Sequence, residues 1–153
     1  MNSLHPRVRL LWSVQAAISA VVLGAIAWGI DRIVVDLPPL VPVAVFVLAL
    51  ALGVGHALLR YRLWRYEVRE DSLYLERGVL TEVTTVVPYV RIQHVDASRG
   101  PIERAFGLAT TVVYTAGSRG ADVSIPGLSP ERAEDLQTRL KQLAIAAEGE
   151  DAV

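Results

Sequence analysis

The sequence predicts a membrane α-helical hairpin followed by one compact, mostly β domain. Three observations predict it: two long uncharged apolar stretches ahead of Arg60, an abrupt change to period-two alternation after it, and an amphipathic helical pattern near the C-terminus. With 153 residues, 52% of them hydrophobic, the chain holds one domain plus a short membrane unit rather than two sizeable globular domains. Fifteen basic residues against sixteen acidic ones leave a net charge of −1. That balance argues against a general nucleic-acid binder, so any electrostatic role depends on where the charges sit. The chain has no cysteine, which removes disulfides, thiolate nucleophiles and cysteine-based zinc sites. Lys141 is the one lysine among many arginines, a bias that fits a GC-rich prokaryotic genome better than a demand for guanidinium chemistry.

The first apolar stretch, 10–30, carries no charge and spans roughly 30 Å as a helix, the thickness of a bilayer's hydrocarbon core. The second, 40–59, is uncharged apart from a proton on His56 and is too long for a core strand. A cleaved signal peptide is the competing reading of the first stretch, but its apolar run exceeds the usual length of about 7–15 residues and a second span follows closely. Residues 31–39 form a short external loop, so the two helices run antiparallel as neighbours. Arg7 and Arg9 precede the first helix and Arg60, Arg62 and Arg65 follow the second, whereas the loop has Arg32 against two aspartates. This asymmetry places residues 1–9 and everything after 59 in the cytoplasm, as a multi-pass protein of the cell membrane. Trp12, Trp28 and Trp64 fall near the helix ends, where indoles rest among headgroups.

After Arg60, Trp64, Tyr66 and Val68 alternate with Arg65, Glu67 and Arg69, the pattern of a half-buried strand. Glu70-Asp71-Ser72 turns, Leu73 and Leu75 continue the alternation, and Val79 to Val87 reads as a third strand. Pro88 interrupts the pairing and Val90 to Val95 supplies a fourth strand. Residues 102–107 read as one helical turn between Pro101 and Gly107. Leu108 to Tyr114 and Asp122 to Ile125 add two strands, separated by the polar Gly117-Ser118-Arg119-Gly120. Ser129 and Pro130 then open a helix with acidic residues early and Arg139 and Lys141 late. Its apolar face is Ala133, Leu136, Leu140 and Leu143, which suits it to cap the sheet. Residues 60–143 thus form the domain, and 144–153 read as a disordered, solvated tail.

The segments Val87-Pro88-Tyr89-Val90-Arg91-Ile92-Gln93-His94-Val95-Asp96 and Gly100-Pro101-Ile102-Glu103-Arg104-Ala105-Phe106-Gly107-Leu108-Ala109-Thr110, with Thr115-Ala116-Gly117, resemble the membrane-anchored bacterial pleckstrin-homology-like family, formerly a domain of unknown function. The resemblance runs through the whole chain in order. It implies a pleckstrin-homology-like bent antiparallel sheet with a C-terminal capping helix. It also marks Arg91, Gln93, His94, Asp96, Arg104 and Gly107 as motif positions, whose expected role is structural, tying a strand to the short helical turn. A fold of this kind hosts lipid, peptide and protein recognition alike. Glu70-Asp71-Ser72 stands where eukaryotic phosphoinositide binders carry basic residues.

Four sets of candidate residues follow. Arg60, Arg62, Arg65 and Arg69 form a juxtamembrane group suited to anionic lipid, although positive-inside bias alone also calls for such arginines. Ala16, Ala20 and Gly24 on one helix, and Ala49, Gly53 and Ala57 on the other, make small-residue stripes. These are either a packing seam or the chance spacing of alanine-rich helices. His56 is a proton-relay candidate or a solvated group at the interface. His94 and Asp96 share a strand face in a way that permits acid–base or metal chemistry, yet no nucleophile or third ligand accompanies them. No catalytic set, metal site, cofactor or nucleic-acid partner is therefore expected. The function predicted is a non-enzymatic membrane-tethered binding or scaffold module. Its partners are the lipid bilayer and a protein, which is another copy, a longer relative of the same family or an unrelated chain. The alternative is an anionic-lipid or membrane-stress sensor, and the third reading is an enzyme using His94 and Asp96.

Overall fold

The computed structural model describes residues 1–117 and 121–152. The chain divides into two compact units: Arg9–Tyr61, and a domain made of Met1–Val8 together with Arg62–Val153.

The first unit is the helical hairpin. Helix α1 (Val8–Ile33) has 26 residues and α2 (Leu40–Leu63) has 24, lengths of about 39 and 36 Å at 1.5 Å per residue. Both are long and apolar enough to cross a membrane. Each outruns its uncharged stretch by a turn or less at one end or both, because nothing in Val8-Arg9 or in Arg60-Tyr61-Arg62-Leu63 breaks a helix. The connection accordingly shrinks to residues 34–39, with the Leu37 N–H donating to Asp31 Oδ1 at 2.9 Å. Along the hairpin most large side chains are exposed, among them Ile18, Val22, Leu48 and Leu52. Lipid, not water, suits such a surface.

Among the described residues the domain is built from seven strands in two antiparallel sheets. The first sheet orders β1 (Asn2–Ser3), β2 (Arg65–Val68), β3 (Ser72–Arg77) and β4 (Val83–Pro88) side by side. The second orders β5 (Ile92–Ser98), β6 (Ala109–Thr115) and β7 (Val123–Leu128). A 3-10 turn at Tyr89–Arg91 carries the chain from one to the other. Short helix α3 (Pro101–Phe106) connects β5 to β6, and α4 (Pro130–Asp151) follows β7. Register explains the alternation: Tyr66 opposes Leu75 and Val68 opposes Leu73, with Leu73 opposite Val87 in turn. Tyr66, Leu73, Leu75 and Val87 are all buried.

The core gathers these residues with Val113 and Ile125 of the second sheet and Ala133, Leu136, Leu140 and Ala144 of α4. Polar ties fix the helix: Ser129 Oγ accepts the Arg132 N–H, Gln137 Nε2 donates to the Val95 carbonyl at 2.9 Å, and the buried Thr111 hydroxyl donates to the Ala133 carbonyl.

Four sequence expectations are corrected. Residues 144–153 do not form a disordered tail through 151, because α4 continues to Asp151 and buries Ala144; Ala146, Ala147 and Glu148 are strong helix formers. The domain is not confined to residues 60–143, since Met1–Val8 belongs to it and Asn2 and Ser3 pair with Tyr66 and Arg65. Trp64 is 3% exposed and sits edge-on to Tyr66 at 6.4 Å between centroids, inside the domain rather than among headgroups. The third strand starts at Val83, not Val79, because Gly78 adopts φ +110° and the chain turns there. Of the expected turn at Gly117-Ser118-Arg119-Gly120, residues 118–120 lie outside the described residues.

Candidate functional sites

In the hairpin, the small residues of α1 and α2 meet. A Cβ on Gly53 would stand 2.9 Å from the Ala16 Cβ, and one on Gly24 would stand 3.1 Å from the Phe46 Cβ. Ala20 and Ala57 are buried. Ala49 and Gly53 line a groove of about 240 Å³ with Ala16, Gln15, Ser19 and His56. Gly24 faces an aromatic ring, so its missing side chain accommodates Phe46, a contact that small-residue spacing alone does not reveal. His56 is exposed on the hairpin surface.

The four juxtamembrane arginines separate into distinct environments. Arg60 lies over the Trp12 ring at 4.2 Å, a cation–π contact. Arg69 donates to Glu67 Oε2 at 2.8 Å and lies 3.7 Å above the Tyr74 ring. That hydrogen bond holds the Glu67 carboxyl below its ordinary range and raises the guanidinium further. Tyr74 donates to Glu76 Oε1 at 2.7 Å, which lifts the phenol above its usual value. Arg65 stands opposite Glu76 across the β2–β3 pair, where opposite charges attract. Arg62 and Arg65 line a cleft of about 390 Å³ together with Arg77 and the carboxylates of Glu76 and Glu82. Arg77 was not singled out by the sequence, because it reads as an ordinary strand end.

The motif positions divide between the 3-10 turn (Arg91), β5 (Gln93, His94 and Asp96) and α3 with its C-terminal end (Arg104 and Gly107). The Arg91 carbonyl accepts the Ala116 N–H at 2.8 Å, and the Arg91 side chain is exposed. Gln93 and Asp96 are exposed on β5, with a register irregularity between Ile92 and His94. The His94 ring stacks on Tyr114, with centroids 4.1 Å apart and planes at 17°. Arg104 is exposed on α3. Gly107 takes φ +67°, ending α3 in the left-handed conformation, and a Cβ there would meet the Arg7 guanidinium at 3.0 Å.

The polar tie between β5, α3 and β6 runs through residues the sequence reading passed over. Glu103 accepts the Gly100 N–H at 3.2 Å and the Thr110 hydroxyl at 2.7 Å. Arg99 Nε donates to the Leu108 carbonyl at 3.2 Å. Glu103 at the third helical position after Gly100 was a readable capping signal. Among the described residues no three His, Asp or Glu side chains converge as a metal site would require.

Comparison with known proteins places these features. Residues 10–144 match the family described as bacterial PH domain. The UPF0699 transmembrane protein YdbS of Bacillus subtilis (strain 168) is 39% identical over 85 residues, 56% of this chain and 52% of that protein. The match therefore spans about half the length of that relative. No solved structure matches.

Proposed function

The chain belongs to the bacterial PH domain family, and from that premise we propose that it is a non-enzymatic, membrane-tethered module whose domain engages a protein partner at the cytoplasmic membrane surface. Association with a membrane follows from two long apolar helices and a transmembrane relative. The observation that carries the protein reading is the free side of β4. Val83-Thr84-Thr85-Val86-Val87-Pro88 pairs with β3 alone among the described residues and bears no charge. Most edge strands are blunted by charge, proline, bulges or extreme shortness; here Pro88 blunts only the last position, and the five β-branched residues 83–87 leave a template for another strand. Val86, 52% exposed, points outward beside Tyr74. A second copy or a longer relative supplies such a strand equally well.

Spans at 10–30 and 40–59 with both termini in the cytoplasm agree with the pairing of Asn2 and Ser3 to β2, since chain before α1 and chain after α2 then lie on one side. Chemical crosslinking in native membranes followed by purification tests the partner. The full chain is expected to recover a larger complex, and Val86→Lys with Val83→Lys is expected to lose it while remaining membrane-bound. Recovery of monomer alone from the unaltered chain would overturn the reading.

A second reading, in which the domain senses anionic headgroups, is favoured by the cleft in which Arg62, Arg65 and Arg77 outnumber Glu76 and Glu82.

A further inference from the structure

The turn between β3 and β4 is tight. Gly78 sits at φ +110°, and a Cβ there would overlap the Thr81 carbonyl, so only glycine closes it. The consequence is that Leu80 projects from the tip with 96% of its surface exposed, more than any other large apolar side chain among the described residues. A single exposed leucine is ordinary on a protein surface. What sets this one apart is its neighbourhood. The turn residues Arg77, Gly78 and Val79 share one cleft with Arg62 and Leu63, the last turn of α2.

A helix that spans the bilayer leaves the hydrocarbon at its end and enters a headgroup layer only about 5–8 Å deep on each side. A loop packed beside Leu63 therefore lies at that layer. Its tip is apolar, and the cleft behind it carries three arginines, Arg62, Arg65 and Arg77, against two carboxylates, Glu76 and Glu82, a net positive lining of the kind interfacial segments have. The charges are also selective. Arg69 is held by Glu67 and Tyr74, and Arg65 is matched by Glu76 across the sheet. Arg62 and Arg77 take part in neither of the ion pairs found among the described residues, Arg32–Asp31 and Arg69–Glu67. A guanidinium binds a phosphate through two parallel N–H donors.

We infer that the β3–β4 tip is a membrane-insertion point: Leu80 enters the interfacial layer of the leaflet that α2 leaves, while Arg62 and Arg77 take the phosphates of anionic lipids. This deepens the headgroup reading above and rests on α2 spanning the bilayer.

The absence of native cysteine makes the test direct. Leu80→Cys in the full chain, and Glu70→Cys at the β2–β3 turn as control, are labelled with an environment-sensitive fluorophore. Both are reconstituted into vesicles of phosphatidylcholine alone and of phosphatidylcholine with phosphatidylglycerol. The label at 80 is expected to shift to the blue and resist an aqueous quencher when phosphatidylglycerol is present, while the label at 70 stays accessible. Arg77→Gln is expected to lower the ratio of protected to accessible label about fivefold, the change expected for loss of one basic group near an anionic surface. Alkaline carbonate that extracts the chain would overturn the spanning reading and this inference with it. A retained chain whose label at 80 is as accessible as that at 70, or as protected in phosphatidylcholine alone, would overturn this inference by itself.

Discussion

Glu103 illustrates how one side chain joins two elements. Its carboxylate accepts the Gly100 N–H and the Thr110 hydroxyl, closing α3 against the start of β6. Hydrogen bonds to a charged group contribute roughly 1.5–3 kcal/mol. Glu103→Ala is therefore expected to destabilise the domain by about that amount, whereas Asp96→Ala, on an exposed position of β5, should change stability by less than about 0.5 kcal/mol. Thermal unfolding in detergent compares the two; equal losses would show that Asp96 shares the structural load. Tyr89 supplies a pH dependence. Its ring is buried and its hydroxyl donates to the Arg69 carbonyl, and burial raises the phenol above its ordinary value, with Arg139 opposing the shift and Asp71 adding to it. Below about pH 10 the phenol is protonated in both folded and unfolded chains, so its contribution is fully present. As the pH rises past that point the unfolded chain ionises first, and stability falls. Unfolding measured across this range should show an alkaline loss that Tyr89→Phe reduces, at a cost of about 1 kcal/mol near neutrality for the lost hydrogen bond.

At the scale of elements, the hairpin helices discriminate sharply between two neighbouring glycines. A Cβ on Gly53 would press to 2.9 Å on Ala16, while Gly55 has nothing within 4 Å. Gly53→Leu should lower the midpoint of helix loss followed by circular dichroism in detergent. Gly55→Ala should hold it or raise it, because alanine favours a helix over glycine by roughly 0.5–1 kcal/mol. Equal behaviour of the two would mean that α1 and α2 do not pack through this stripe. The same elements show what the sequence makes legible. The helices, the α3 turn with Pro101 at its start and Gly107 at its end, and the Ser129 cap rest on local chemistry, readable from a few adjacent residues. The Glu67–Arg69 contact was also readable, since alternate strand residues share a face. By contrast, Val79 to Val87 looks uniformly β-branched, and only the backbone at Gly78 shows that a turn uses its first part. The cleft joining Arg77 to Arg62 comes from a hairpin folding back on a helix end, a non-local fact with no sequence pattern.

At the scale of the whole molecule, the decisive feature is that the domain is discontinuous in sequence. Met1–Val8 and Arg62–Val153 form one compact unit, and the hairpin is an insertion between them. The joint is substantial: Leu4 and Val8 are 2% and 1% exposed, and the His5 N–H donates to the Gly127 carbonyl at 2.7 Å. Gly127, at φ +63°, leaves room for the Val8 side chain, which a Cβ there would strike at 2.7 Å. Arg132 adds a hydrogen bond to Asn2 and another to the Tyr66 hydroxyl. Two residues of β1 carry no periodic signal, and their partner lies beyond both membrane helices, so no local reading finds them. This arrangement predicts the behaviour of soluble versions. A chain in which a flexible Gly/Ser linker replaces 9–61 should fold cooperatively in water, because it retains both parts of the core. The fragment 62–153 alone should be far less stable. Burying Leu4 and Val8 contributes roughly 1.5–3 kcal/mol each, and a domain of this size shifts in melting temperature by about 4–8 °C per kcal/mol. The fragment should therefore melt at least about 10 °C lower, or stay unfolded. Circular dichroism melts of the two chains decide it: coincident transitions would mean that Met1–Val8 merely rests on a domain complete without it.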